Sequence, residues 1–212
     1  MISYRLRLFQ VTQIQSEQFT SHVYVLTSTI SEEVVLIDCG GFRPVLDFLG
    51  EEAKVKAIFL THYHYDHIYY MKQWLEIFPN ATVYGSESTL SGLRNPKVNL
   101  SFYHEDPVQV ELTASQFLYE GSVTEIFEGV FIESLLTDGH CEGSLTYILE
   151  NHVFTGDALI PNIPTVTKLK TGSKELSKSS IKKIKDSISV NSIICPGHHE
   201  MISAKLVRWD LY

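Results

Sequence analysis

The sequence predicts a layered α/β fold, on two observations. Apolar, β-branched runs of strand length occupy both ends of the chain, and amphipathic helical stretches are interspersed between them. A third observation sets the scale: 212 residues, 44% of them hydrophobic, suit one domain with a real core and disfavour wholesale disorder.

The elements follow in order. Residues 4–11, 22–28 and 34–38 alternate or run apolar as strands do. The Cys39-Gly40-Gly41 turn closes the third run, and Pro44 suits the first turn of a short helix over 45–49. Residues 56–60 form an apolar strand that runs straight into Thr61-His62-Tyr63-His64. Ile68, Met71, Leu75 and Phe78 then recur at helical spacing, a stripe that Pro79 stops. A strand over 82–84 and a short helix over 87–93 precede a turn-rich stretch, 95–106. Strands return at 130–136, 144–149, 152–155 and 192–195. A helix over 174–188 carries Ile181, Ile184 and Ile188 on one face. No repeat, low-complexity tract or linker interrupts the chain, so one domain over 1–212 is expected.

Charge narrows the function classes. Seventeen Lys and Arg stand against 25 Asp and Glu, a net of −8, which disfavours general nucleic-acid binding because phosphate contacts need clustered cations. The charge is unevenly spread, however, with seven Lys and one Glu over residues 168–185. That stretch reads either as a solvated helix face or as a basic border that attracts an anionic substrate. Three cysteines, Cys39, Cys141 and Cys195, are too few for a disulfide framework. No run approaches the length of a membrane span, and the opening MISYRLRLFQ lacks a secretory apolar stretch. A cytoplasmic protein acting on a small molecule is the expectation.

Histidine placement is the most informative feature. Five of the nine histidines fall in tight contexts: His62, His64 and His67 in THYHYDHI, His140 in TDGHCEGS, and His198 in CPGHHE. At the end of an extended strand, residues i and i+2 project to one side, so His62 and His64 can reach one cation. The chain then turns, and Asp66-His67 opens the helical stripe, able to face a second cation nearby. Gly139-His140, Gly156-Asp157 and Gly197-His198 each set a glycine beside a candidate ligand in a strand-end turn. Imidazole nitrogens with carboxylate oxygens form the donor set of zinc, and also of iron or manganese.

These motifs resemble those of the metallo-β-lactamase-fold hydrolase superfamily, in its short glyoxalase II-like branch. Asp38 in LIDCG, the string THYHYDHI, His140 in DGHCEGS, Asp157 in FTGDAL and His198 in PGHH match the family's pattern in order and spacing. The resemblance implies a four-layer αβ/βα sandwich with the ligand turns gathered along one edge. It implies two divalent metal ions, Zn first: His62, His64 and His140 on one, Asp66, His67 and His198 on the other, and Asp157 bridging. Two cations about 3.5–4 Å apart can clamp and acidify a bridging water. Asp66 then has a second, catalytic role, orienting that nucleophile or receiving its proton. Asp38 is expected behind the ligands, accepting hydrogen bonds that hold their loop.

The substrate is far less legible, since one such scaffold hosts many reactions. The leading expectation is hydrolysis of a small ester, thioester or lactone. Glutathione specificity is not expected, because the helical extension of full-length glyoxalase II has no counterpart in this sequence. Three alternatives stay open: a phosphodiesterase or nuclease using the basic stretch, a mononuclear iron thiol or persulfide oxygenase, and a non-catalytic metal-binding module. Cys141 reads as a packing residue or a metal-proximal thiol. Tyr63 and Tyr65 line the substrate mouth or pack, while His22, His104 and His152 read as structural or surface residues.

Overall fold

The structure, a computed structural model, describes residues 8–212. The first part of the strand expected over 4–11 lies outside the described residues, and strand β1 is observed over Phe9–Gln15. With β2 (His22–Ser28), β3 (Glu33–Ile37), β4 (Lys54–Phe59), β5 (Thr82–Gly85) and β6 (Ser115–Phe117) it forms a sheet ordered β1-β2-β3-β4-β5-β6. β1, β2 and β3 pair antiparallel, and β3 to β6 pair parallel. The second sheet comprises β7 (Val123–Phe127), β8 (Val130–Leu136), β9 (Leu145–Leu149), β10 (His152–Gly156), β11 (Ile193–Pro196) and β12 (Ile202–Ser203). Its order is β12-β11-β10-β9-β8-β7, antiparallel except for the β10–β11 pair.

Side-chain alternation explains why the sheets stack. Val23, Val25, Val34, Leu36, Ile58 and Leu60 pack outward with α1 (Arg43–Leu49), α3 (Met71–Ile77) and α4 (Glu87–Gly92). Their neighbours Tyr24, Leu26, Val35, Ile37 and Phe59 face inward against Tyr147, Leu149 and Phe154 of the second sheet. That sheet turns Val153 and Ile194 to its own outer face, against Ile181 and Ile184 of α5 (Lys174–Ser187). With period-2 strands apolar on both faces, only burial between two layers satisfies them. The result is a helix–sheet–sheet–helix sandwich, as the sequence resemblance implied. Among the described residues, no helix is long and apolar enough to cross a membrane.

The structure corrects the single helical stripe expected from Ile68 to Phe78. It is broken into a one-turn α2 (Tyr65–Ile68) and α3, with Tyr69 and Tyr70 between. The His67 carbonyl accepts from the Cys39 amide at 2.8 Å, and the Tyr70 amide donates to the Cys39 carbonyl at 3.2 Å. Both groups are thus taken from the helical ladder by the turn after β3. Strands β6, β7 and β12 carried no sequence expectation. All three pair at or near sheet edges, and β6 is exposed throughout, so no burial pattern marks it.

The parallel pairs position the site. β3 and β4 run the same way, as do β10 and β11, so neighbouring C-terminal ends share an edge. Two cross-sheet bonds hold that edge together: Leu145 N–H donates to the Thr61 carbonyl at 2.8 Å, and the Tyr147 hydroxyl to the Leu60 carbonyl at 2.6 Å. On the other side, His22 N–H donates to the Gly197 carbonyl at 2.8 Å.

Candidate metal centre

The turn after β4 delivers His62 and His64, and α2 delivers Asp66 and His67. The β8–β9 loop supplies His140, the end of β10 supplies Asp157, and the end of β11 supplies His198. Three groups of donor atoms converge, each within 4.8 Å: His62, His64 and His140; His62, His67 and Asp157; Asp66, His67 and His198. All seven residues singled out by the sequence therefore meet on one edge. His199, next to His198, is exposed with φ +66° and joins none of these groups.

Four of the five rings are oriented from behind. His67 Nδ1–H donates to Asp38 Oδ2 at 2.8 Å, and His140 Nδ1–H to the Val166 carbonyl at 2.9 Å. Thr61 Oγ1 donates to Asp38 Oδ2 at 2.8 Å and lies 3.0 Å from His62 Nδ1, whose proton it can accept. Thr20 Oγ1 lies 2.9 Å from His198 Nδ1. These contacts leave the Nε2 atoms of His62, His67, His140 and His198 facing the middle. His62 Nε2, His67 Nε2 and Asp157 Oδ1 are buried without a hydrogen-bond partner. Such orphans are rare in native interiors, and a cation among them answers the deficit.

His64 Nδ1 lies 2.8 Å from His140 Nε2. Two imidazole lone pairs cannot face each other at that distance, so a proton or a metal ion must lie between them. Asp157 links the groups, with Oδ1 3.4 Å from His67 Nε2 and Oδ2 3.5 Å from His198 Nε2 and 3.7 Å from His140 Nε2. Asp66 Oδ2 reaches His198 Nε2 at 3.3 Å and His67 Nε2 at 3.8 Å. The donors present fit metal ions of the zinc type.

Protonation divides the site in two. Burial, reinforced by neighbouring imidazoles, holds His62 well below the ordinary histidine value and His64 at about 3. Burial likewise lowers His140, so these three rings are neutral and ready to ligate. Burial also pulls on His198 and His67, but carboxylates outweigh it. Asp157 and Asp66 raise His198 to about 9, and Asp66, Asp38 and Asp157 raise His67 well above its usual value. Burial opposes charge on Asp157 and Asp66 as well, yet His67 and His198 hold both below the usual carboxylate range.

Glycines beside the ligands act by different means. Gly156 takes φ +47°, a conformation that favours glycine. Gly197 has no such φ; a Cβ there would overlap the Asp157 carboxylate and press within 2.7 Å of His67 Cε1. Gly197→Ala is therefore expected to cost about 1–3 kcal/mol in thermal or urea unfolding and to lower metal content after dialysis.

Cys141 is buried against Ser144 Oγ at 3.3 Å, and burial pushes its thiol up to about 12. Cys195 is likewise pushed up to about 12 and Cys39 well above its usual value, again by burial. All three thiols should resist iodoacetamide at pH 8 in the folded protein and react fully in 6 M guanidinium, as mass spectrometry would count.

Sequence reasoning missed Thr61, Thr20 and the Val166 carbonyl, which orient ligand rings. Only the threonine next to His62 carried any local signal. Tyr63 turns away from the ligands, its hydroxyl 2.7 Å from Thr171 Oγ1. Tyr65 stacks on His104 with centroids 3.8 Å apart. His22 braces the PGHH turn through its backbone bond to Gly197, and His152 packs between Phe9 and Phe154.

A sandwich of two mixed sheets between helix layers, with imidazoles and carboxylates convergent at one edge, defines a metal-binding hydrolase-like class. A family model described as the metallo-beta-lactamase superfamily matches residues 17–198, and the chain belongs to that superfamily. It is 27% identical over 182 residues to the probable polyketide biosynthesis zinc-dependent hydrolase PksB of Bacillus subtilis (strain 168), covering 85% of this chain and 73% of that one. It is 27% identical to hydroxyacylglutathione hydrolase of Salmonella typhi, covering 84% of this chain but only 61% of that protein's length. The crystal structure of BLEG-1 B3 metallo-beta-lactamase superposes with a TM-score of 0.84 at 26% identity, covering 93% of this chain and 95% of that one.

Proposed function

We propose that this protein is a metal-dependent hydrolase of a small ester, thioester or lactone, working with two divalent ions, zinc first. One observation carries the reading: Asp157 connects two trios of donors, grouping with His62 of one and His67 of the other while its Oδ2 lies near both His140 and His198. His62, His64 and His140 would hold one ion, Asp66, His67 and His198 the other, and Asp157 would touch both. When bound, such ions supply an acidified water and a positive field for the developing oxyanion.

The chain's own residues do the rest. The carbonyl of Val166 and the carboxylate of Asp38 fix the tautomers of His140 and His67. Asp66, ionised and only partly buried, offers Oδ2 as the acceptor of the nucleophile's proton. No serine or cysteine nucleophile is needed, consistent with the raised pKa of Cys141.

The test is elemental analysis of protein purified without added metal, followed by an ester, thioester, lactone and phosphodiester panel. About two equivalents of zinc with carbonyl hydrolysis is the expected result. A single iron with oxygen consumption, or activity on phosphodiesters alone, would overturn it.

A further inference from the structure

A cleft of about 750 Å³ opens beside His64. One wall comes from α4 and the segment after it, the other from the loops that carry the candidate ligands. The second wall is built firmly. Between Asp157 and α5, the chain is pinned by the Val166 carbonyl to His140 and by the Ser173 amide to the Gly139 carbonyl at 2.9 Å. Thr171 Oγ1 meets both the Tyr63 hydroxyl and, at 3.3 Å, the Glu142 amide. The first wall is joined to the same loops, because Ser86 Oγ at the start of α4 donates to the Gly143 carbonyl at 2.6 Å.

The charges on these walls are matched. Glu87 and Lys97 line one side, Glu142 and Lys170 the other, so each wall carries one carboxylate and one ammonium. Among the described residues, none of the four takes part in an ion pair; Lys97 lies 5.1 Å above the Phe102 ring. Between them Tyr63, Val98, Leu100 and Leu169 form an apolar part of a lining that also includes Ser88, Ser91, Asn95 and Thr171.

The basic stretch 168–185 resolves accordingly. Lys170 is its only member on this cleft, whereas Lys168, Lys174 and Lys178 line a separate small cavity. Lys182 and Lys183 pair with Asp186 and Glu120, and Lys185 lies over Trp209.

Resting on the hydrolase reading above, we infer that the cleft selects a substrate with a zwitterionic head group, an ammonium and an acid in one molecule, next to an apolar segment. A purely anionic ligand would meet two carboxylates along with its two lysines, and a purely cationic one the reverse. A ligand bearing both signs satisfies both walls.

A matched series tests this without hydrolysis. S-benzylcysteine is zwitterionic, its N-acetyl form anionic, its amide cationic, and the N-acetyl amide neutral. Calorimetry on the zinc-loaded protein should show the zwitterion binding about tenfold tighter than any of the other three. Lys170→Gln should erase its advantage over the cationic form, and Glu142→Gln its advantage over the anionic form. Phosphoethanolamine as competitor separates an ammonium–phosphate head from an ammonium–carboxylate head, displacement favouring the former. Equal binding across the series overturns the inference, as does an anionic ligand that binds best. Loss of all hydrolysis on the substrate panel with the zwitterion preference intact would sink the hydrolase reading and leave the cleft assignment standing.

Discussion

Asp38→Ala is expected to lower stability by about 3–5 kcal/mol, because it strips an acceptor from three buried donors. Asp38 Oδ1 takes the Thr61 amide at 2.7 Å, and Oδ2 takes the Thr61 hydroxyl and His67 Nδ1–H. The carboxylate is 2% exposed, so water cannot replace it cheaply. In a chain of this size that loss lowers Tm by roughly 6–20 °C. Metal affinity should fall about 10–100-fold as His67 loses its orientation. Asp38→Asn separates the two effects. Asparagine tolerates the φ of +61° and keeps an acceptor for the Thr61 amide, but its NH2 cannot accept from His67. It should recover much of the stability and little of the affinity. Urea unfolding of metal-free protein and chelator competition measure the two separately.

The second large effect concerns pH. In the metal-free protein near neutrality, His67 and His198 hold protons among Asp38, Asp66 and Asp157, while His62, His64 and His140 are neutral. A metal entering the three-histidine group needs only a tautomer shift at His64, from Nδ1–H facing His140 to Nε2–H. A metal entering the group of Asp66, His67 and His198 must expel about two protons. Calorimetry in buffers of different ionisation enthalpy should therefore show two classes of site. The first fills without net proton release, with affinity flat from pH 6 to 8. The second should gain about 100-fold per pH unit over the same range, easing toward about tenfold per unit as pH passes His198's value of about 9, where His67 still has a proton to expel. The raised value of His198 also means that its ion pairs help the metal-free fold below pH 6.5 and cease to do so above about 9. One class of site with no proton release would contradict this division.

Most regular elements are legible in the sequence because strand and helix periodicity is local. β2 and β8 match their expected bounds: β2 is a continuous run of five buried residues, β8 alternates buried and exposed over its first four, and each is followed by turn residues. The stripe from Ile68 to Phe78 misled because its period is helical while the Cys39 turn competes for its backbone. β6 and β7 escaped because pairing at a sheet edge needs no buried pattern.

The donors were readable as types and spacings: His62 and His64 two apart, and glycine beside His140, Asp157 and His198. Their convergence was not. His64 meets a residue 76 positions away, and Thr20 meets His198 across 178. Such contacts depend on two parallel strand pairs sharing an edge, and local periodicity carries no record of that. The same holds for charge. A run of seven lysines looked like one feature of the chain, yet folding turns only Lys170 toward the cleft and sets Lys97, from another segment, across from it. Composition and spacing thus specify the layers and the chemistry of the candidate ligands. The shape and charge of the cleft beside His64 arise from packing between segments far apart in the chain.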